Sequence, residues 1–208
     1  MKRIPFRNKK VIVFDLDGTI VKLDADWENL KNKLVEQYKK IYKEECDVKR
    51  VSHCLSKVVE KEDEHVLESF FQTIRNYEGE IIKNIDLIEE TIYFINNKDL
   101  FGIREQAVFA ILSLNTRNTI IQALKIAGIY DKIDFIIGRE DVRRWKPAPD
   151  GLLKIQDHYM VDENNMIFFG DLENDLLTGQ NAGIRTYLID DLIEYVNILK
   201  KKIKEKES

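Results

Sequence analysis

Two aspartates, Asp15 and Asp17, follow directly after an apolar run at residues 11–14. A run of this kind is typical of a strand that is buried on both faces of a parallel sheet. Residues two apart on a strand point the same way, so the two carboxylates repel each other unless a cation or a proton lies between them. That repulsion points to a function. Asp-Gly is also a common turn dipeptide, and this stretch alone does not decide between a site and a turn.

Three later strands are also followed by residues that could take part in chemistry. Ligands of open α/β sheets bind beyond the carboxyl ends of the strands, so we expect these side chains to face one crevice together with the first two aspartates. They are Ser113 and Leu114 after the second strand, Lys146 at some distance beyond the third, and Asp171 and Asp175 after the fourth.

An alternation of strands and helices positions these residues. The predicted strands lie at 107–113, 132–138, 166–170 and 185–189, and the predicted helices at 117–127, 148–158, 173–182 and from 192 to the lysine-rich end. Strand–helix repeats of this spacing imply parallel strands joined by right-handed crossovers. The sequence therefore predicts an α/β fold with a Rossmann-like parallel sheet.

The segment between the first two strands has a different character, because it is highly charged and helix-periodic. Four apolar stripes, the last running through residues 81–95, predict three or four packed helices. We therefore expect an inserted α-helical cap domain after the first strand, at residues 23–97. The catalytic core is predicted to comprise residues 1–22 and 98–208.

Composition excludes several classes of protein. A chain of 208 residues with 44% hydrophobic residues can bury a core, and its net charge of −4 does not favour nucleic-acid binding. It contains no apolar run long enough for a membrane span, and we expect no signal peptide. Cys46 and Cys54 are interpreted as packing residues in a reducing compartment. We expect a cytoplasmic monomer or homodimer with neither nucleic-acid nor membrane partners.

Four motifs together resemble those of one known family. They are "DLDGT" at 15–19, Ser113 after a strand, "KPAP" at 146–149 and "GDLEND" at 170–175. In this order they are similar to the haloacid dehalogenase-like hydrolase superfamily, in the branch that includes phosphoglycolate phosphatase. The resemblance covers the core, and the insertion lies where that branch carries its helical C1-type cap.

The resemblance also implies roles for the four aspartates. Asp15 would be the nucleophile that forms an aspartyl-phosphate, and Asp17 the general acid and then the general base. A Mg²⁺ ion would be bound by Asp15, by the backbone carbonyl of Asp17 and by Asp171, with Asp175 supporting it directly or through other ligands.

The resemblance assigns the phosphate group of the substrate to a second set of residues. The predicted substrate-binding residues are Gly18, Ser113, Leu114 and Lys146. The Ser113 hydroxyl and the Leu114 N–H would donate to a phosphate oxygen, and Lys146 would neutralise the phosphate and the attacking carboxylate. Asn115 or Thr116 could supply the phosphate contact instead if the strand ends later.

The expected activity is hydrolysis of a small phosphorylated metabolite, and several alternatives remain. A phosphomutase of the β-phosphoglucomutase type shares every core motif, and a non-catalytic phosphate-binding regulatory protein could use the same scaffold. A dehalogenase would leave Asp17 without a task, and a phosphonate hydrolase would need a cap lysine that forms a Schiff base. Trp27, interpreted as cap core or substrate wall, and Arg75 are the expected selectivity residues of the cap.

Overall fold

The computed structural model describes residues 4–207 and shows the predicted α/β architecture. Residues 1–3 and 208 of the predicted core lie outside the described residues. The strands are β1 (Val11–Phe14), β2 (Val21–Leu23), β3 (Ile85–Leu87), β4 (Val108–Leu112), β5 (Phe135–Ile137), β6 (Met166–Gly170) and β7 (Thr186–Leu188). The α-helices are α1 (Trp27–Tyr42), α2 (Val51–Val59), α3 (Glu64–Ile81), α4 (Glu89–Asn96), α5 (Arg117–Ile126), α6 (Asp150–Tyr159), α7 (Glu173–Ala182) and α8 (Ile189–Glu207). Among these helices, none has the length and apolar character that crossing a membrane requires.

A five-stranded parallel sheet forms the core, with the strand order β5-β4-β1-β6-β7. The central strand β1 pairs with β4 on one side and β6 on the other, so that Val11 lies opposite both Val108 and Met166. All four residues of β1 are buried because helices cover both faces of the sheet. Asp15, the next residue, therefore emerges at the middle of the carboxyl edge. The Rossmann-like prediction is confirmed.

Helices α1 to α3 bury a hydrophobic cluster of their own, which we call the cap cluster. Its buried residues are Leu30, Leu34, Tyr38, Cys46, Val51, Cys54, Leu55, Val58, Leu67, Phe70, Phe71, Ile74 and, from the loop after β5, Trp145. Asp26 and Asp63 cap the N-termini of α1 and α3, since each carboxylate accepts a hydrogen bond from the backbone N–H three residues later. The cap helices thus have their own core, and Trp145 joins that core to the sheet domain.

Helix α4 packs with the sheet and not with the cap cluster. Its Phe94 is fully buried, and its ring lies 6.0 Å from that of Phe14 and 4.6 Å from that of Phe101. The division at residue 97 stays a prediction, but this packing favours a boundary before α4.

The predicted single helix through residues 81–95 is wrong. Ile81 ends α3, Ile85–Leu87 form β3, and a separate helix begins at Glu89. Strand β3 pairs antiparallel with β2, so that Leu23 lies opposite Ile85. The chain enters and leaves the cap helices through this two-stranded ribbon. Isoleucines spaced three or four apart match a helix, and the pairing partner that makes a strand here is distant in sequence.

Candidate active site

Three aspartates converge at the carboxyl edge of the sheet. Asp15 follows β1, Asp171 follows β6, and Asp175 lies in the first turn of α7. Each offers a carboxylate oxygen, and these oxygens all lie within 4.8 Å of one another. Asp15 and Asp175 are buried, and Asp171 is half-buried. The structure therefore brings together three of the four aspartates that the sequence singled out.

Lys146 links two of these carboxylates. Its Nζ donates to Asp15 Oδ2 at 2.6 Å and to Asp175 Oδ1 at 2.6 Å, and all three side chains are buried. Burial acts to lower the pKa of Lys146, but the charges of Asp15 and Asp175 outweigh it and raise the pKa above the ordinary value. Lys146 therefore stays charged where a phosphate would meet Asp15.

Burial changes the protonation of the acidic groups. It raises the pKa of Asp15 to about 7, with the charge of Asp175 adding to the effect and Lys146 opposing it. Burial, followed by the charge of Asp175, also raises the pKa of Asp171 to about 6. In the absence of a metal ion, both groups therefore ionise closer to neutral pH than ordinary carboxyl groups do.

The three carboxylates fit a small divalent cation. They offer only oxygen atoms, the ligands that Mg²⁺ prefers. Asp171 Oδ1 is buried and makes no hydrogen bond to the described residues. Both oxygens of Asp175 are used, one by Lys146 and the other by the backbone N–H of Leu172 at 3.1 Å. Asp171 is therefore better placed to bind a cation directly, and Asp175 to hold Lys146.

Asp17 lies in a different environment from the other aspartates. Its Oδ1 accepts a hydrogen bond from the backbone N–H of Leu23 at 2.9 Å, and its carboxylate is not among the three that converge. Burial raises the pKa of Asp17, opposed by the N–H groups of Leu23 and Trp27. Asp17 and Asp15 line the same cavity. A carboxyl group that retains its proton in such a place can act as an acid.

Position 18 requires glycine because the side chain of Asp171 lies very close to it. The φ of Gly18 is +76°, a conformation that side chains disfavour, and a Cβ atom here would lie 2.2 Å from Asp171 Oδ2. The turn after Asp17 thus packs against a candidate metal ligand. Gly18 serves this packing in the structure, whereas its contact with substrate stays a prediction.

The loop after β4 is held by a glutamate from the cap. Ser113 Oγ donates to Asn115 Oδ1 at 3.0 Å, and Asn115 Nδ2 donates to Glu78 Oε1 at 3.2 Å. Both the N–H and the hydroxyl of Thr116 donate to Glu78 Oε2, at 2.8 and 2.6 Å. Glu78 is fully buried on α3. The backbone N–H of Leu114 makes no hydrogen bond within residues 4–207 and remains available to a ligand.

These residues open into a cavity of about 260 Å³ between the sheet and the cap. Asp15, Asp17 and Ser113 lie on the sheet side, while Trp27 and Arg50 lie on the cap side. Trp27 therefore forms part of the wall. The expectation for Arg75 is wrong, because Arg75 pairs with Glu68 and Glu140 and does not line this cavity.

Sequence reasoning missed two buried charged residues at this site. Glu78 holds the loop after β4, and Arg139 lines the cavity from the loop after β5. Glu78 looks like one more acidic residue of a charged helix, and Arg139 sits in a run of charges beside Arg143 and Arg144. Only the tertiary packing sets them apart from surface residues.

The chain is similar in sequence and in structure to several known proteins. The chain is 24% identical over 180 residues to the pyrophosphatase PpaX of Bacillus thuringiensis (strain Al Hakam), covering 84% of this chain and 80% of that protein. The structure is similar to that of a haloacid dehalogenase-like hydrolase from Bacteroides fragilis, with a TM-score of 0.59, 23% identity and 86% of each chain covered. It is also similar to CbbY of Rhodobacter sphaeroides in complex with phosphate, with a TM-score of 0.56, 17% identity and coverage of 86% and 85%.

The sequence pattern of one family extends over both the sheet and the cap. The pattern described as haloacid dehalogenase-like hydrolase matches residues 12–189, which include all of the motif residues from Asp15 to Asp175. This match spans most of the chain, from the first strand to the last. The chain therefore belongs to the haloacid dehalogenase-like hydrolase family.

Proposed function

We propose that this protein is a Mg²⁺-dependent phosphatase that hydrolyses a small phosphorylated metabolite through an aspartyl-phosphate on Asp15. The observation that carries the proposal is the buried pairing of Asp15 with Lys146, beside Asp171, at the floor of the cavity between the sheet and the cap. Membership of a hydrolase family supports it. The naming of a relative as a pyrophosphatase, and of a structural neighbour as a phosphate complex, agrees with it.

Asp15 would attack the phosphorus atom while Lys146 holds its carboxylate in place. The contact between Lys146 Nζ and Asp15 Oδ2 fixes the carboxylate and places a positive charge where the phosphoryl group must arrive. Asp15 and Asp171, with the backbone carbonyl of Asp17, would bind the Mg²⁺ ion. When bound, the ion would offset the repulsion between a carboxylate and a phosphate dianion.

Asp17 would donate a proton in the first step of the reaction and accept one in the second. As the bond from phosphorus to the leaving oxygen breaks, the Asp17 carboxyl gives its proton to that oxygen, and the leaving group departs as an alcohol. In the second step Asp17 takes a proton from water, and the water oxygen attacks the aspartyl-phosphate. Inorganic phosphate is released, and Asp15 returns to a carboxylate. The raised pKa of Asp17 supports the first of these roles.

The loop after β4 would bind the phosphate oxygens. The Ser113 hydroxyl can rotate from Asn115 towards a substrate, and the neighbouring N–H of Leu114 can donate beside it. A cavity of about 260 Å³ admits only a compact molecule. We therefore propose a small metabolite as substrate, and neither a phosphoprotein nor a nucleic acid.

A panel of phosphorylated metabolites tests this function. Purified protein with Mg²⁺ should release inorganic phosphate from at least one small ester, and excess chelator should abolish that release. Asp15→Asn is the matched inactive control. Release that persists in chelator would contradict the metal requirement. Transfer of phosphate between two positions of one sugar, with no release, would instead identify a phosphomutase.

A further inference from the structure

Arg139 is a buried cation whose hydrogen-bonding capacity is largely unused. Its side chain is 4% exposed, yet its Nε and Nη1 atoms make no hydrogen bond to the described residues. The same side chain lines the cavity that contains Asp15 and Ser113. Buried polar groups are normally hydrogen-bonded, so this arrangement points to a partner that arrives through the cavity.

The two carboxylates whose charges act on Arg139 already accept hydrogen bonds from other residues. Its electrostatic neighbours are Glu78 and Glu140. Glu78 accepts three hydrogen bonds from Asn115 and Thr116, as described above. Glu140 accepts one from Arg75 at 3.4 Å and another from the backbone N–H of residue 117 at 3.0 Å. Neither forms an ion pair with Arg139, and burial lowers the pKa of the guanidinium despite their charge.

The backbone of Arg139 is fixed against the phosphate-binding loop. Its N–H donates to the carbonyl of Asn115 at 2.8 Å, and its carbonyl accepts a hydrogen bond from the Trp145 indole at 2.8 Å. The preceding Gly138 packs closely enough that a Cβ atom would lie 2.9 Å from the backbone nitrogen of Arg117. The backbone from which the Arg139 side chain extends is therefore held against the loop that follows β4, which favours selective binding.

We propose that Arg139 binds a second anionic group of the substrate, so that the enzyme selects small phosphate esters that also carry a carboxylate or another phosphoryl group. This inference rests on the proposed phosphatase function and names its substrate class. A guanidinium presents paired N–H groups that match two oxygens of either anion. Lys49 and Arg50, exposed on the cap side of the same cavity, add positive charge to its lining.

Non-hydrolysable phosphonates test the inference by binding alone. Phosphonoacetate carries a carboxylate, methylenediphosphonate carries a second phosphoryl group, and ethylphosphonate carries neither. In calorimetric titrations with Mg²⁺, the wild-type protein should bind one of the first two at least about tenfold more tightly than ethylphosphonate, as expected for charge-assisted hydrogen bonds. Whichever of the two binds more tightly identifies the class of the second anion.

Two matched variants assign that preference to a residue. Arg139→Gln should remove the preference and leave the affinity for ethylphosphonate within about threefold of wild type. Arg144→Gln removes one positive charge from the same loop at an exposed residue that pairs with Asp150 outside the cavity, and it should keep the preference. Equal binding of all three probes by the wild type, or a preference that survives in Arg139→Gln, would overturn the inference.

The result also separates this inference from the proposed function. If no phosphonate binds and no phosphate ester is hydrolysed, the function itself fails. If ethylphosphonate binds as well as the others while esters are hydrolysed, only the role of Arg139 fails. Should Arg139→Gln not fold, Glu78→Gln is compared with Glu78→Gln/Arg139→Gln, in which both buried charges are removed. Loss of the preference in the double variant alone supports the inference, and an equal preference in both overturns it.

Discussion

At the scale of single residues, contact with Lys146 distinguishes Asp15 and Asp175 from Asp17. Its Nζ contacts Asp15 and Asp175, whereas Asp17 bonds to the backbone of Leu23. We propose that Asp15, held beside this cation, is the nucleophile. Asp17 lacks that direct ion pair and can keep a proton for the leaving group.

Substitution of the two aspartates should give distinct losses. Asp15→Asn should abolish turnover, because the amide cannot take the phosphoryl group. Asp17→Asn should slow turnover by about 10²- to 10⁴-fold on alkyl phosphates, the usual contribution of positioned acid–base catalysis. Steady-state rates on alkyl and aryl esters measure this. The loss should be smaller for aryl esters, whose leaving groups need little protonation, and equal losses would contradict the role of Asp17 as the acid.

Gly18→Ala should remove activity through Asp171. The added methyl group would overlap the Asp171 carboxylate and strain a backbone at φ +76°. We expect weaker Mg²⁺ binding and a large loss of turnover, measured by titration of activity with Mg²⁺. Gly79→Ala is the control, because a Cβ atom at Gly79 meets nothing within 4 Å. Wild-type Mg²⁺ dependence in Gly18→Ala would show that Asp171 does not bind the ion.

At the scale of elements, α3 and the loop after β4 act as one unit. Glu78 on α3 accepts hydrogen bonds from Asn115 and Thr116 in a fully buried position. A helix of the cap thereby determines the shape of a loop of the sheet domain. The hydrogen bonds that hold the candidate phosphate-binding loop therefore form only when α3 packs against it.

Glu78→Gln should therefore affect both stability and substrate binding. An amide cannot accept all three hydrogen bonds, so the free energy of unfolding should fall by about 1–3 kcal/mol. The KM for a phosphate ester should rise more than kcat falls, because we propose that the loop after β4 binds the phosphate. Chemical denaturation and steady-state kinetics measure the two effects. Glu80→Gln, at an exposed residue of the same helix, should leave both unchanged.

Elements with local signals were predictable, and those that depend on distant partners were not. The buried runs that form β1 and β6 and the glycine that ends α7 are visible in the sequence, so the sheet and the converging aspartates followed from it. Strand β3 has three residues and is a strand only because β2 pairs with it. Arg139 and Glu78 carry no local signal, since burial alone distinguishes them.

At the scale of the whole molecule, folding and pH are coupled. Asp15 and Asp171 have pKa values raised to about 7 and about 6 in the folded protein, above those of an unfolded chain. The folded state therefore binds more protons than the unfolded state. The contribution of these groups to stability is present at low pH and is lost as the pH rises through these values. We expect a bound cation to take the place of these protons.

Mg²⁺ should thus stabilise the protein more as the pH rises. Denaturation of metal-free protein from about pH 5 to about pH 8 should show stability falling over the range where Asp15 and Asp171 ionise. Saturating Mg²⁺ should offset that fall, by about 2.7 kcal/mol at a hundredfold excess over its dissociation constant. The variant Asp15→Asn/Asp171→Asn should lose this pH-dependent gain. A gain independent of pH would contradict the assignment of these carboxylates.

Both tryptophans of the chain lie where the cap meets the sheet domain. Trp27 begins α1 and lines the cavity, and Trp145 reaches from the loop after β5 into the cap cluster. The emission of an indole changes when its ring passes from an apolar contact into water. Any separation of the cap from the sheet domain must therefore change the intrinsic fluorescence of the protein. Any such separation could be followed in real time, in a stopped-flow instrument, without attaching a dye.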